Sequence, residues 1–297
     1  MQIFPLSESV SLVLAPSIMR SIDDYLHSAT QKIYINLRSP DDRIVTTHLL
    51  KLAIRRIPTA KYLYMSQVAH QLAGKLRSTP IEVCQSFPPM VETINPQVEL
   101  LVWYTELGYV YFQLTARSIV TWLDYIHKHK GAGLKSPLST QSLPTRTRVK
   151  ELSLAIYAHG RCCSVLRLAR DEQLMAFDAE WEITTPNWLN YAGDRPQNLL
   201  EPDRILIFDL PVEHQLIQTL MDVLDGLASD RPQNLAQLAL TLAQSWLEFD
   251  RHCQIFGDIK RQNPRLAIAR CGLSAISRRY LQVLLEDYLG IKAPTEF

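Results

Sequence analysis

Two long apolar stripes run through the second half of the chain. Leu235, Leu238, Leu242, Trp246, Phe249 and Cys253 recur at steps of three and four, as do Leu266, Ala269, Leu273, Ile276, Tyr280, Leu284 and Tyr288. Residues three and four apart share one face of an α-helix, so each set predicts an amphipathic helix with a buried stripe. Gly290 and then Pro294 close the second helix, because glycine accepts the left-handed conformation at a helix end and proline cannot continue one. A shorter stripe, Leu152, Ala155, His159, Cys162 and Leu166, places His159 among core positions.

The first half reads differently. Val98–Tyr104 and Tyr109–Thr115 are rich in aromatic and branched residues, and Glu106-Leu107-Gly108 can turn between them. They predict a pair of strands, and Lys32–Leu37 is a third candidate. Helices are predicted at 16–30, 43–56, 64–77 and 116–127, the third with Met65, Val68, Leu72 and Leu76 in helical spacing. The expected fold is helix-rich α+β: a small mixed α/β domain over 1–127, then an all-α helical bundle over 151–297. Residues 128–150, with Gly131, Gly133, Pro137, Pro144 and six basic side chains against no acidic one, read as a linker.

Charge refines this division. The 297 residues carry a formal charge of +1, which by itself disfavours a strongly basic nucleic-acid binder. The balance hides local fields: 15 acids against three arginines over 171–250, and eight basic residues against four acids over 251–297. The acidic stretch is the natural place for a protein partner, and Glu180, Trp181, Glu182, Trp188 and Tyr191 form a candidate interaction surface within it.

Several classes are disfavoured. No apolar run approaches the roughly 18 residues a membrane span needs. Ser9–Met19 is interrupted by Pro16 and preceded by no basic segment, against a signal peptide. Five cysteines without CxxC spacing fit a reducing cytoplasm. No phosphate-cradling glycine loop, GxSxG or HExxH occurs, and no cofactor or metal is expected. His127 and His129 read as part of the solvated basic linker rather than a metal site. The hexapeptide DRPQNL occurs twice, at 194–199 and 230–235, and reads as two similar helix entries.

Three stretches carry a resemblance. Tyr157-Ala158-His159-Gly160-Arg161-Cys162-Cys163-Ser164-Val165-Leu166-Arg167 matches the pattern YAHARxCSILR, with Gly160 in place of alanine. Arg265-Leu266-Ala267 begins a helix that closes in Leu289-Gly290-Ile291, then Ala293-Pro294-Thr295-Glu296-Phe297, against RLAL, LLGI and APERM. Between them, 238–257 is similar to a helix carrying LAxxFxxFY. In the first half, Tyr64–Leu76, Pro80-Ile81-Glu82-Val83 and Gly108-Tyr109-Val110-Tyr111-Phe112-Gln113-Leu114 follow A-x-x-LAKKL, P-x-E-V-A and G-[FY]-[IV]-N-F-x-L. Together these resemble arginyl-tRNA synthetase: its N-terminal additional domain and its DALR anticodon-binding domain.

The resemblance implies tRNA recognition, the first domain at the tRNA corner and the second at the anticodon stem and loop. The family's class I catalytic domain would lie between them, where this chain has 128–150, and no HIGH-type or KMSKS-type motif occurs. The expectation is a noncatalytic tRNA-binding protein. The alternative is a protein-interaction or regulatory module that kept the fold and lost the RNA surface. Candidate RNA contacts are Tyr109, at the family's aromatic position; Tyr111, where the family often has a polar residue; Tyr157 and Arg161, one turn apart; Arg270, Arg278 and Arg279 on the last helix; and Phe297 at the terminus. Tyr109 and Tyr111 also fit simple packing on one side of a sheet, and the arginines a solvated face.

Overall fold

A computed structural model describes residues 3–13, 17–37, 54–57, 60–87, 97–128, 150–179, 181–185, 188–189, 207–229 and 234–296. It divides into two compact units, Met1–Trp122 and Leu123–Phe297. The whole is helix-rich α+β, with the strands in the first unit. Of the predicted linker at 128–150, residues 129–149 lie outside the described residues, as does the first DRPQNL copy.

The first unit is built on a five-stranded antiparallel sheet in the order β1-β4-β5-β3-β2. The strands are β1 (Ile3–Val13), β2 (Ile54–Arg56), β3 (Leu63–Ser66), β4 (Gln97–Thr105) and β5 (Val110–Leu114). β4 and β5 form the predicted hairpin. The turn is closed by Gly108 N–H donating to Thr105 O at 2.8 Å, with Gly108 at φ +76. A Cβ on Gly108 would lie 2.4 Å from Pro80 Cβ, so both the conformation and the close approach require glycine there. Along β5, Val110, Phe112 and Leu114 are buried while Tyr111 and Gln113 are half-buried, the alternation of a sheet with one covered face.

Helix α1 (Ile18–Leu37) supplies part of that cover. Ser17 Oγ accepts Arg20 N–H at 3.0 Å and caps its start, and Ile18, Ile22, Tyr25, Leu26 and Ala29 are buried. Tyr25 meets Phe112 edge-on at 6.1 Å. The expected strand at Lys32–Leu37 is instead the end of α1. A helix already nucleated extends at small cost, and this outweighs a modest β preference. The expected helix at 64–77 starts only at Val68, as α2 (Val68–Leu76), because Tyr64, Met65 and Ser66 pair with β5. Of the expected helix at 43–56, only 54–56 is described, and it is β2. A short α3 (Pro80–Gln85) opens on a Thr79–Glu82 capping box, and α4 (Ala116–Lys128) follows β5.

The second unit is a helical bundle of α5 (Ser153–Asp171), α6 (Pro211–Ala228), α7 (Leu235–His252), α8 (Asp258–Gln262) and α9 (Pro264–Gln282), with a π-helical turn at Val283–Tyr288. α9 packs on α5, α5 on α7, and α7 on α6. The three predicted stripes face this core: Leu152 at the start of α5 with Ala155, His159, Cys162 and Leu166 along it; Leu242, Trp246 and Phe249 on α7; Leu273, Ile276 and Tyr280 on α9. α7 starts where the second DRPQNL copy ends, with Asn234 Oδ1 accepting Gln237 N–H at 3.1 Å. Gly290, at φ +66, closes the last helix as expected.

α9 departs from a simple amphipathic helix. Every residue from Ala269 to Leu281 is buried. Trp188 packs so closely on Gly272 that a Cβ there would come within 1.9 Å of the indole. Gly272→Ala in a helix interior would ordinarily stabilise by roughly 0.5–1 kcal/mol. Here the clash reverses the sign, and a destabilisation of about 1–3 kcal/mol is expected in urea unfolding.

Candidate nucleic-acid interface

The candidate residues separate into inward and outward groups. Tyr111 is half-buried and stacks on Trp103, with centroids 5.6 Å apart and planes 7° from parallel. Tyr109 is half-buried with its ring 5.0 Å from that of His70. Both are therefore packed against ring neighbours within the first unit.

The α9 arginines do not form a solvated face. Arg270 is 5% exposed, Arg278 4% and Arg279 8%. Arg270 Nε donates to Glu213 Oε1 at 2.7 Å and its NH1 to Gln254 O at 2.7 Å. Glu213, fully buried at the start of α6, also accepts Leu210 N–H at 2.8 Å. Arg278 donates to Gln282 Oε1 at 2.9 Å. Arg279 donates to Ile126 O and His127 O, the last carbonyls of α4, and pairs with Glu182. The eight-residue spacing of Arg270 and Arg278 is helical as expected, but their face points into the bundle. A cation leaves water only against acceptors that replace its hydration, and for Arg270 and Arg279 these contacts supply them.

The same contacts account for other predicted residues. His127 is not solvated linker: its Nε2–H donates to Ile183 O at 3.2 Å, and Trp188 meets its ring edge-on. Burial and the nearby Arg279 lower its pKa. His129 lies outside the described residues, and among the described residues no group of His, Cys, Asp and Glu could hold a metal. Of the proposed aromatic–acidic surface, Trp188 is buried, Glu182 is paired with Arg279, and Trp181 lies 4.7 Å under the Arg170 guanidinium. Glu180 and Tyr191 lie outside the described residues.

The outward group lies on α5. Tyr157 is 50% exposed, and Arg161, one turn on, is also exposed. Ser164 and Leu168 continue the line at steps of three and four. This stripe is the complement of the buried one, and that relation could have extended the predicted Tyr157–Arg161 pair to Ser164 and Leu168. Arg161, Ser164, Val165 and Leu168 form one wall of a groove of about 520 Å³; Asp250 and the loop Cys253–Asp258 form the other. Arg270 holds this loop through Gln254 O, so a buried arginine positions the groove instead of facing solvent. Arg161 Nε donates to Asp250 Oδ2 at 3.0 Å across the groove. Asp250, Gln254, Ile255 and Phe256 were not singled out from the sequence.

The C-terminal tail seats on another side of α5. His159 Nδ1–H donates to Pro294 O at 2.8 Å, and Arg167 NH1 to Thr295 O at 2.9 Å. Phe297 lies outside the described residues. His159 is 1% exposed, and its Nε2 has no hydrogen-bond partner among the described residues.

Among the described residues, no helix is long and apolar enough to cross a membrane. All five cysteines are buried free thiols, and burial pushes Cys84 and Cys271 up to about 12.

The chain is thus a helix-rich α+β protein whose bundle presents a mixed polar and apolar groove. A region covering 46% of it is related to arginine–tRNA ligases. It is 28% identical over 139 residues to the Arginine--tRNA ligase of Synechococcus sp. (strain JA-3-3Ab), covering 21% of that protein. It is 33% identical over 141 residues to the Arginine--tRNA ligase of Gloeobacter violaceus (strain ATCC 29082 / PCC 7421), covering 20%. The chain therefore spans about a fifth of the length of the curated relatives it matches. No protein-family model matches it. No solved structure matches it either.

Two predictions concern the bundle. Arg270→Met leaves the buried Glu213 carboxylate without its cation and is expected to cost about 3–5 kcal/mol in urea unfolding. Arg270→Met with Glu213→Leu should cost clearly less than Arg270→Met alone. For His159, burial is the main cause of a pKa below the ordinary imidazole value, and the Pro294 bond only partly opposes it. The native state therefore keeps the ring neutral where the unfolded chain, at about 6.5, takes up a proton. Its contribution is complete above about pH 6.5 and is lost as pH falls through the folded value. Melting temperature should drop between about pH 7 and pH 5, and His159→Gln should flatten that profile.

Proposed function

We propose that the protein binds tRNA without aminoacylating it. The observation that carries this reading is the exposed Tyr157–Arg161 pair on α5, beside a groove of about 520 Å³, in a chain related over 46% of its length to arginine–tRNA ligases. An exposed ring offers a stacking surface to an unpaired base, and an adjacent guanidinium offers a phosphate contact. The noncatalytic part rests on the sequence: no HIGH-type or KMSKS-type motif occurs in its 297 residues, and no phosphate-cradling glycine loop. Amino-acid activation needs ATP phosphates held and their charge neutralised.

In this reading the helical unit makes its contact along the outward α5 stripe. The buried arginines of α9 hold the bundle. Tyr109 and Tyr111 remain the aromatic contacts proposed for the first unit, with Trp103 and His70 fixing their rings.

Filter binding of total tRNA tests the reading. Micromolar or tighter binding is expected at about 50 mM salt, weakening as salt rises. Tyr157→Ala should weaken it about tenfold, the loss of one base stack. ATP–pyrophosphate exchange with arginine should be blank. Absence of tRNA binding at about 50 mM salt would sink the reading and favour a protein-interaction module.

A further inference from the structure

The groove beside α5 holds its own competitor for an RNA phosphate. Arg161 is the groove's cation, with its side chain 48% exposed, yet its Nε–H already donates to Asp250 Oδ2 at 3.0 Å. Asp250 is the more buried member, at 20%, and sits near the end of α7. Its position is set by the helix, while Arg161 is long and free to turn toward solvent. A ligand therefore moves the arginine and leaves the carboxylate in place.

The position has a sequence mark. On the pattern LAxxFxxFY, α7 reads Leu242-Ala243, Trp246 and Phe249-Asp250, so a carboxylate stands where the pattern has a phenol. A phenol would leave the cation unpaired and add an apolar surface. A carboxylate neutralises the cation and repels an incoming phosphate.

The surroundings repeat the arrangement. Arg251 pairs with Glu248, Lys260 with Glu172, and Arg261 with Asp258, which itself lines the groove. Each of these cations meets an acid of the same unit.

We propose that Asp250 is a specificity-determining residue that gates Arg161 against RNA phosphate. A phosphodiester engages Arg161 fully only by drawing its guanidinium away from Asp250, which holds it through Nε, so an isolated phosphate gains little. An RNA that also stacks on Tyr157 and fills the apolar part of the groove, at Val165, Leu168, Ile255 and Phe256, gains enough to open the pair. The gate raises the discrimination between a shaped RNA and a bare polyanion at the cost of affinity. This inference rests on the tRNA-binding reading above and names the residue that regulates that site.

The gate makes an epistatic prediction, because Asp250 acts through Arg161. Asp250→Asn in the full chain is nearly isosteric and keeps the helix intact. It is expected to tighten tRNA binding about fivefold at low salt. It should also steepen the dependence of log affinity on log salt by about one counterion. The same change should improve binding of polyphosphate, a bare polyanion, more than that of tRNA. Arg161→Gln should weaken tRNA binding, and adding Asp250→Asn to Arg161→Gln should change nothing further. Thermal melting of each variant within about 3 °C of the parent confirms that the fold is unchanged.

Three results overturn the gate while leaving the tRNA-binding reading in place. They are parental tRNA binding with no gain from Asp250→Asn, a gain that persists without Arg161, and an equal gain for tRNA and polyphosphate. If neither the parent nor Asp250→Asn binds tRNA, the reading fails and the gate with it.

Discussion

A guanidinium cannot leave water without replacements for its hydration, and the second unit is organised around that constraint. Arg270 enters the bundle core and meets Glu213 on one side and Gln254 O on the other. Glu213 in turn accepts the N–H of Leu210, the residue that caps the start of α6. One cation thus ties together the start of α6, the middle of α9 and the loop that follows α7. That loop is a wall of the groove. The groove's shape therefore depends on an ion pair that no ligand touches. Such a pair is a weak source of net stability, because desolvation offsets most of its attraction. Its consequence is directional: the carbonyl of Gln254 must point at Arg270, and the side chains of Ile255 and Phe256 follow.

The same constraint explains what the sequence could and could not disclose. Periodicity locates helices because apolar spacing follows from burial on one face, and it located α5, α7 and α9. It says nothing about a second buried face. α9 is surrounded, so its arginines are buried along with its leucines. Read alone, arginines at helical spacing opposite an apolar stripe indicate a solvated or RNA-facing surface. The acceptors of Arg270 and Arg279 lie at Glu182, Glu213, Gln254 and the carbonyls of Ile126 and His127. These are 16 to 153 residues distant in sequence. Long-range partners of that kind leave no periodic trace. In the first unit, the β4–β5 hairpin was legible because its turn demands glycine. β3 was not, because its residues also continue the helical spacing of α2, and only pairing with β5 decides between the two.

The candidate site divides along the same line. Tyr157 and Arg161 were legible from their residue types and spacing, and they remain outward. The far wall was not, since Asp250 and the loop 253–258 come near Arg161 only through the packing of α5 on α7. The acidic stretch posed an objection to RNA binding when counted as net charge. Four of its 15 acids are paired within the unit: Glu213 with Arg270, Glu182 with Arg279, Asp250 with Arg161 and Glu172 with Lys260. Net charge summed over a segment overstates the field an approaching ligand meets when each acid already has a cation beside it.

Pairing of this kind decides which forces remain for recognition. At physiological salt the screening length is about 8 Å, so a neutralised ion pair contributes little field beyond its own surroundings. A ligand approaching α5 meets a nearly neutral surface until contact. What then favours it is short-range: the half-exposed ring of Tyr157, the exposed Leu168 and the apolar part of the groove. Stacking and shape act at contact distance and differ between a folded RNA with unpaired bases and a uniform polyanion. A surface with free arginines would bind both and prefer whichever is longer. A surface with paired arginines requires the contact first and releases the cation second. Under the proposed tRNA-binding function, the ion pairs that neutralise this surface would also let a small groove distinguish a nucleic acid by its shape.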